Sequence, residues 1–171
     1  MRPDWDYPSG RWIESAERSA ELEGRLDQVL SGGERPRDPL DRVAFAELLY
    51  ARSRYAESAR MYSQAFAEDA ALAERHRYNA ACVASRAAAR GGTDAAEWRG
   101  QALVWLRAEL ALLEKAPSAF RAANFQHWKK DPDLAAVRDR IEDLPEPERE
   151  AWRGLWAAVD EALASARQAP R

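Results

Sequence analysis

An all-α fold is predicted by three features of the 171-residue sequence. Apolar residues recur three and four positions apart through most of the chain, the spacing that lines one face of a helix. Alternating runs rich in β-branched residues, which would mark strands, are missing. Between the periodic stretches stand Gly-Gly, Asp-Pro and Leu-Pro breaks of the kind that end and restart helices. The length fits a single domain large enough to bury a core.

The elements follow in order. Residues 1–10, with two prolines, read as an N-terminal lead outside the domain, and 11–167 as the domain itself. A first helix over 11–30 places Leu22, Leu26, Val29 and Leu30 on one face and stops at Gly32-Gly33. Asp38 then offers a cap, Pro39 suits the first helical position, and Asp41 puts a carboxylate near the N-terminal dipole of a helix reaching residue 52. A break at Ser53-Arg54 leads to a helix over 55–67 with Tyr55, Ala59, Tyr62 and Phe66 on one stripe, so the two must lie antiparallel. The next helix spans 72–90 and ends at Gly91-Gly92. Asp94 and Glu97 suggest a capping box for a helix to residue 115. A helix over 117–130, with Phe120, Asn124 and Trp128 in register, is followed by a short one opened by Asp131-Pro132-Asp133 and a linker at Leu144-Pro145. The last helix, 146–167, begins with acids and aligns Trp152, Leu155, Trp156, Val159 and Leu163.

Composition excludes several classes of function. The chain is 46% apolar and 32% charged, as expected of a globular protein. Its net charge of −3 and pI near 5.6 argue against a nucleic-acid partner, which would require a concentrated basic surface. Only Lys115, Lys129 and Lys130 among the basic residues are lysines. With the many alanines, this looks like the coding bias of a GC-rich bacterium. The arginines alternate with acids, which reads as a solvated surface crossed by ion pairs. Cys82 is the single cysteine, so neither an internal disulfide nor a thiolate metal cluster can form. No stretch resembles a signal peptide or approaches the roughly 20 apolar residues of a membrane span. A cytoplasmic protein is the expectation.

Residues 41–72 resemble one tetratricopeptide repeat (TPR). The likeness is carried by Phe45, Ala46, Leu49, Tyr55, Ser58, Tyr62, Ala65 and Phe66, although Ser53 stands where the repeat usually has glycine and Ala70 where it has its closing proline. Small residues in such a pair let the helices approach while large ones fill the space beside them. Tyr78-Asn79-Ala80-Ala81-Cys82 resembles the first helix of a second repeat and 101–106 its second helix, with Gly91 to Trp98 as an insertion between them. Two TPR-like hairpins are therefore expected, at about 38–69 and 72–115. Two repeats are fewer than a stable array needs, which assigns the first helix and the helices of 117–167 to capping.

A broader resemblance covers about 12–164. Arg54-Tyr55-Ala56, His76 through Cys82, Trp105 through Leu110, His127-Trp128 with Asp131 through Ala135, Val137-Arg138-Asp139 and Glu150 through Arg153 are similar to the TPR-containing C-terminal region of planctomycete-type bacterial serine/threonine protein kinases. The sequence contains no Gly-rich phosphate loop, His-Arg-Asp loop or Asp-Phe-Gly motif, so kinase activity does not follow from the resemblance. What it implies is a helical region that contacts protein.

The chemistry-bearing residues favour structural readings. His76 and Cys82 are six residues apart on one helix and point in different directions, unlike metal-binding pairs spaced by three or four, so no metal site is expected from them or His127. Cys82 reads as a small buried hydrophobe, with no motif to make it a nucleophile. Asp131 and Asp133 read as helix-capping acids. Trp105, Trp128, Trp152 and Trp156 fall on apolar stripes and are assigned to the core, while Trp5 and Trp12 lie near a terminus, either docked or at an interface.

By analogy with TPR arrays, the concave face would present Val43, Glu47, Tyr50, Arg75, Tyr78, Asn79, Cys82 and Arg86. Only Asn79 matches the pattern of TPRs that clamp a peptide carboxylate, so no clamp is inferred. With two repeats, an open groove and one filled by flanking helices are about equally expected. The sequence thus predicts a non-enzymatic, cofactor-free helical scaffold or adaptor that binds a protein or peptide, or a second copy of itself. The alternative is the regulatory tail of a serine/threonine protein kinase that is encoded upstream or truncated from this chain.

Overall fold

The computed structural model describes residues 9–168, except for the side chains of residues 9–12, 14 and 15. Among these residues there are helices and no strand, as predicted. Eight α-helices run α1 (Ser9–Ser31), α2 (Pro39–Ala51), α3 (Tyr55–Glu68), α4 (Ala71–Ala89), α5 (Ala95–Leu113), α6 (Ser118–Trp128), α7 (Ala135–Arg138) and α8 (Glu146–Gln168). Single 3₁₀ turns at Pro132–Leu134 and Ile141–Asp143 flank α7. Among the described residues no helix is long and apolar enough to cross a membrane.

α1 begins two residues earlier than the predicted lead allows, at Ser9. Trp5 lies outside the described residues, as does the side chain of Trp12. Leu22, Leu26 and Val29 are buried, and Arg25 rises from the same face. Its guanidinium grips Asp41 of α2 with two hydrogen bonds, Nη1 to Oδ1 at 3.2 Å and Nη2 to Oδ2 at 2.9 Å, and its Nε donates to Glu34 at 2.5 Å. The backbone N–H of Arg37 adds a bond to Asp41 Oδ2 at 2.8 Å. Asp41 therefore does more than favour a helix dipole: it anchors α1 to α2. Burial alone would raise its pKa, but the bonds from Arg25 and Arg37 outweigh this and hold it below the usual value.

The start of α2 is as predicted, with Asp38 accepting the N–H of Asp41 at 2.7 Å and Pro39 in the first turn. Its end is a Schellman motif: Ser53 N–H donates to Tyr50 C=O and Arg54 N–H to Leu49 C=O, both at 2.8 Å. Ser53 sits there at φ +59°, the left-handed conformation for which glycine is suited.

α2 and α3, joined by this short turn, pack along each other as an antiparallel pair. Ala46 and Ser58 meet at the contact, both fully buried, and the Ser58 hydroxyl donates to the Ala46 carbonyl at 2.6 Å. α4 packs against both α3 and α5. It can do so because Ala80, Ala81, Ala84, Ala87 and Ala88 bury little bulk, and backbones approach closely on either side. Large side chains fill the space between successive pairs, as where Phe66 meets Trp105 edge-to-face at 5.7 Å.

The α4–α5 connection departs from expectation in two ways. Gly91 and Gly92, both at positive φ, reverse the chain so tightly that α5 begins at Ala95 and Trp98 is buried within it, not part of an insertion. The Asp94–Glu97 capping box does not form. The Asp94 carboxylate instead accepts from Arg60 Nη2 and Thr93 Oγ1, each at 2.9 Å.

In α6 the buried residues are Phe125 and Trp128; Phe120 is 57% exposed, which corrects the predicted register. α8 packs on α6 and, less extensively, on α5. Its predicted stripe of Trp152, Leu155, Trp156, Val159 and Leu163 is buried throughout, and the Trp156 indole donates to Val137 C=O at 2.8 Å. Arg99 of α5 forms two bonds with Glu148, at 2.5 and 2.9 Å, fastening the start of α8. Trp105, Trp128, Trp152 and Trp156 are all core residues, as expected.

Candidate functional site

A pocket of about 240 Å³ opens where α2, α4 and the segment from His127 to Asp133 converge. α2 contributes Glu47 and Tyr50, one turn apart and therefore on one face. α4 contributes Tyr78, Asn79, Cys82 and Val83, and α3 contributes Tyr62. His127 in the last turn of α6, with Asp131 and Asp133 around the following 3₁₀ turn, closes the third side. Tyr62, Cys82, Val83 and Asp131 are buried, while Glu47, Tyr50, Asn79 and His127 are exposed around them.

Asp131 organises the interior. Its Oδ1 accepts the backbone N–H of Asp133 at 2.9 Å, the capping role that the Asp-Pro-Asp sequence predicts. Its Oδ2 also accepts the Tyr78 hydroxyl at 2.7 Å and lies 3.7 Å from Cys82 Sγ and 3.3 Å from His127 Nε2. The backbone carbonyls of Trp128 and Asp131 are held by Arg138 Nη1 at 2.9 and 2.8 Å. Tyr78 stacks on Trp128 with centroids 5.3 Å apart, so this tyrosine belongs as much to the core as to the pocket. On the opposite wall the Tyr50 hydroxyl donates to Asp133 Oδ2 at 2.6 Å, linking α2 to the turn after α6.

These contacts set the electrostatics. The hydrogen bond to Asp133, with burial, pushes Tyr50 up to about 12. Burial first, then the proximity of Cys82 and Asp131, raises Tyr78 well above its ordinary value. The Cys82 thiol is raised too, by burial and then by the Asp131 carboxylate, an environment opposite to that of an activated cysteine. Arg86 stands 3.6 Å from Asp133 Oδ1 and bonds to the Tyr55 hydroxyl at 3.0 Å.

Of the residues predicted for a concave face, Glu47, Tyr50, Tyr78, Asn79 and Cys82 line this pocket, and Arg86 borders it through Asp133. Val43 is 4% exposed and belongs to the core, because its side of α2 is covered by neighbouring helices. Cys82, at 5%, does not face outward but forms part of the pocket's buried wall. Arg75 is exposed and lies away from the lining. The segment after α6 closes one side of the space beside α2 and α4 and leaves the pocket.

Sequence reading missed Tyr62, Val83, His127, Asp131 and Asp133 as lining residues, having assigned the two acids to capping alone. The available signal was the placing of two tyrosines and a cysteine on the groove side of α2 and α4, a face that needs polar partners from elsewhere in the chain. Cys82 Sγ and carboxylate oxygens of Asp131 and Asp133 lie within 4.8 Å of one another, a donor grouping that sequence spacing did not reveal. Asp131 is nonetheless already engaged by Tyr78, Cys82 and the Asp133 N–H, so the cluster is satisfied by protein groups. Comparison with family models, curated proteins and solved structures gives no match.

Proposed function

We propose that the chain is a non-catalytic, TPR-like helical scaffold that holds a protein or peptide partner at the α2–α4 face. The observation that carries this reading is the pocket itself. It lies between the first helices of two successive antiparallel pairs, α2–α3 and α4–α5, and exposed polar side chains surround its buried interior. The small-residue contact of Ala46 with Ser58 and the alanine-rich α4 support the likeness to TPR pairing. A non-catalytic role is supported by the raised Cys82 thiol and by an Asp131 carboxylate occupied with structural bonds.

The test is affinity capture of the tagged protein from its native lysate beside a Glu47→Ala, Tyr50→Ala, Asn79→Ala triple variant. These three side chains are exposed, whereas Tyr78 stacks on Trp128 and would confound binding with folding. A partner held by the original and lost by the variant, with circular dichroism unchanged, is the expected result. Equal capture by both proteins would reject this face as the binding surface.

A further inference from the structure

We propose that the pocket receives the cationic side chain of a lysine or arginine presented by the partner polypeptide. This rests on the adaptor reading and adds the chemistry of the contact. The lining combines three carboxylates, Glu47, Asp131 and Asp133, with three tyrosines, and contains no lysine or arginine. Arg86 is the guanidinium nearest the acids, 3.6 Å from Asp133, and it is shared with the Tyr55 hydroxyl and ring. His127 stands against Asp131 and His76 lies 3.9 Å from Glu47.

The three acids are not equivalent. Asp131 is buried and taken up by the Tyr78 hydroxyl, Cys82 and the Asp133 N–H. Glu47 has its side chain 56% exposed, with His76 as its long-range neighbour. Asp133 holds the Tyr50 hydroxyl through Oδ2, which leaves further lone pairs on both oxygens. An ammonium or guanidinium entering between Glu47 and Asp133 would therefore meet free acceptors on two sides. Tyrosine rings would line the path of its aliphatic stem and add cation–π attraction. An anionic ligand would meet the reverse, and an apolar one would strip water from carboxylates without replacing their hydrogen bonds.

The first readout is a ¹H–¹⁵N correlation spectrum of the full chain titrated with the blocked peptides acetyl-Gly-Arg-Gly-amide and acetyl-Gly-Lys-Gly-amide. Neutral counterparts carry citrulline and norleucine at the central position. One side chain without the rest of a partner should bind with roughly millimolar affinity. Expected is a saturable shift of the Glu47, Asn79, Cys82 and Asp133 amides with the cationic peptides, small or absent with the neutral ones. The isosteric Glu47→Gln, Asp133→Asn variant should weaken it by about fivefold or more, with the rest of the spectrum showing that the fold persists. Equal shifts from neutral and cationic peptides would overturn the proposal. So would pocket amides that stay still at about 10 mM peptide, an order of magnitude above the expected affinity. Pocket shifts produced by zinc chloride but by neither cationic peptide would overturn it in favour of a metal at Cys82, Asp131 and Asp133. A partner captured through Glu47, Tyr50 and Asn79 while the cationic peptides fail would leave the adaptor reading standing and remove this one.

Discussion

Replacing Asp41 with asparagine tests whether α1 is an integral part of the fold. The carboxylate accepts two bonds from Arg25 and one from the Arg37 N–H, and the side chains of both Arg25 and Asp41 are 11% exposed. Asparagine is nearly isosteric and can still accept through its oxygen, but its amide group turns one Arg25 contact into donor facing donor. A hydrogen bond to a charged group contributes about 1.5–3 kcal/mol, and the guanidinium left facing an amide adds a desolvation cost. The expected loss is about 3 kcal/mol, or roughly 6–12 °C in melting temperature for a chain of this size. Urea denaturation followed by circular dichroism measures it. Arg37→Ala, which removes the exposed pair with Glu21 and a weaker charge contribution but keeps the backbone bond to Asp41, should stay within about 0.5 kcal/mol. The difference between wild type and D41N also has a pH signature. Because the folded pKa of Asp41 is lowered, the folded state binds fewer protons than the unfolded chain in acid. The contribution is thus fully present above the unfolded value of about 4 and fades as pH falls through the folded value. A D41N protein within 0.5 kcal/mol of wild type at neutral pH, or a gap that widened on acidification, would refute the anchoring role.

Two further substitutions probe other parts of the argument. Ser53→Gly should stabilise by about 0.5–1 kcal/mol, since Ser53 is held at φ +59° and glycine occupies that conformation without strain; an unchanged or lower urea midpoint would mean the Ser53 hydroxyl, 3.3 Å from the Tyr55 hydroxyl, matters more than the backbone. Trp152→Ala should cost about 3–5 kcal/mol, as Trp152 is 1% exposed at the contact of α8 with the rest of the chain; a loss under 1 kcal/mol would show α8 to be a loosely held appendage.

What the sequence disclosed and what it withheld divide along the range of the interactions. Helices, their ends and most of their buried faces depend on neighbours a few residues away. For that reason the Asp38 cap, the end of α4 before Gly91-Gly92 and the α8 stripe were legible. Two local signals were overridden by distant partners. Asp94 has the spacing of a capping box, but Arg60 on α3 draws its carboxylate away. Phe120 and Trp128 share a helix face, but Trp128 is buried and Phe120 is exposed, so the packing that covers the end of α6 does not extend over its start.

The pocket depended on long-range relations from the outset. Tyr50 and Asp133 are 83 positions apart and Tyr78 and Asp131 are 53, so no local pattern announces either bond. The Asp-Pro-Asp segment could be read as a helix start, and it is one, but that assignment used only the backbone-facing oxygen of Asp131. A carboxylate has about four acceptor sites, and a cap occupies one. The remaining capacity of Asp131 is taken up by a half-buried tyrosine hydroxyl and a buried thiol on α4, which find in it a partner from a distant part of the chain. The same acid thereby fixes the turn after α6 and seats that turn across the groove. Asp133, two residues on, is then delivered beside Tyr50 with lone pairs to spare. A capping motif repeated as two acids consequently does two jobs: the first closes the structure, and the second faces the space that remains.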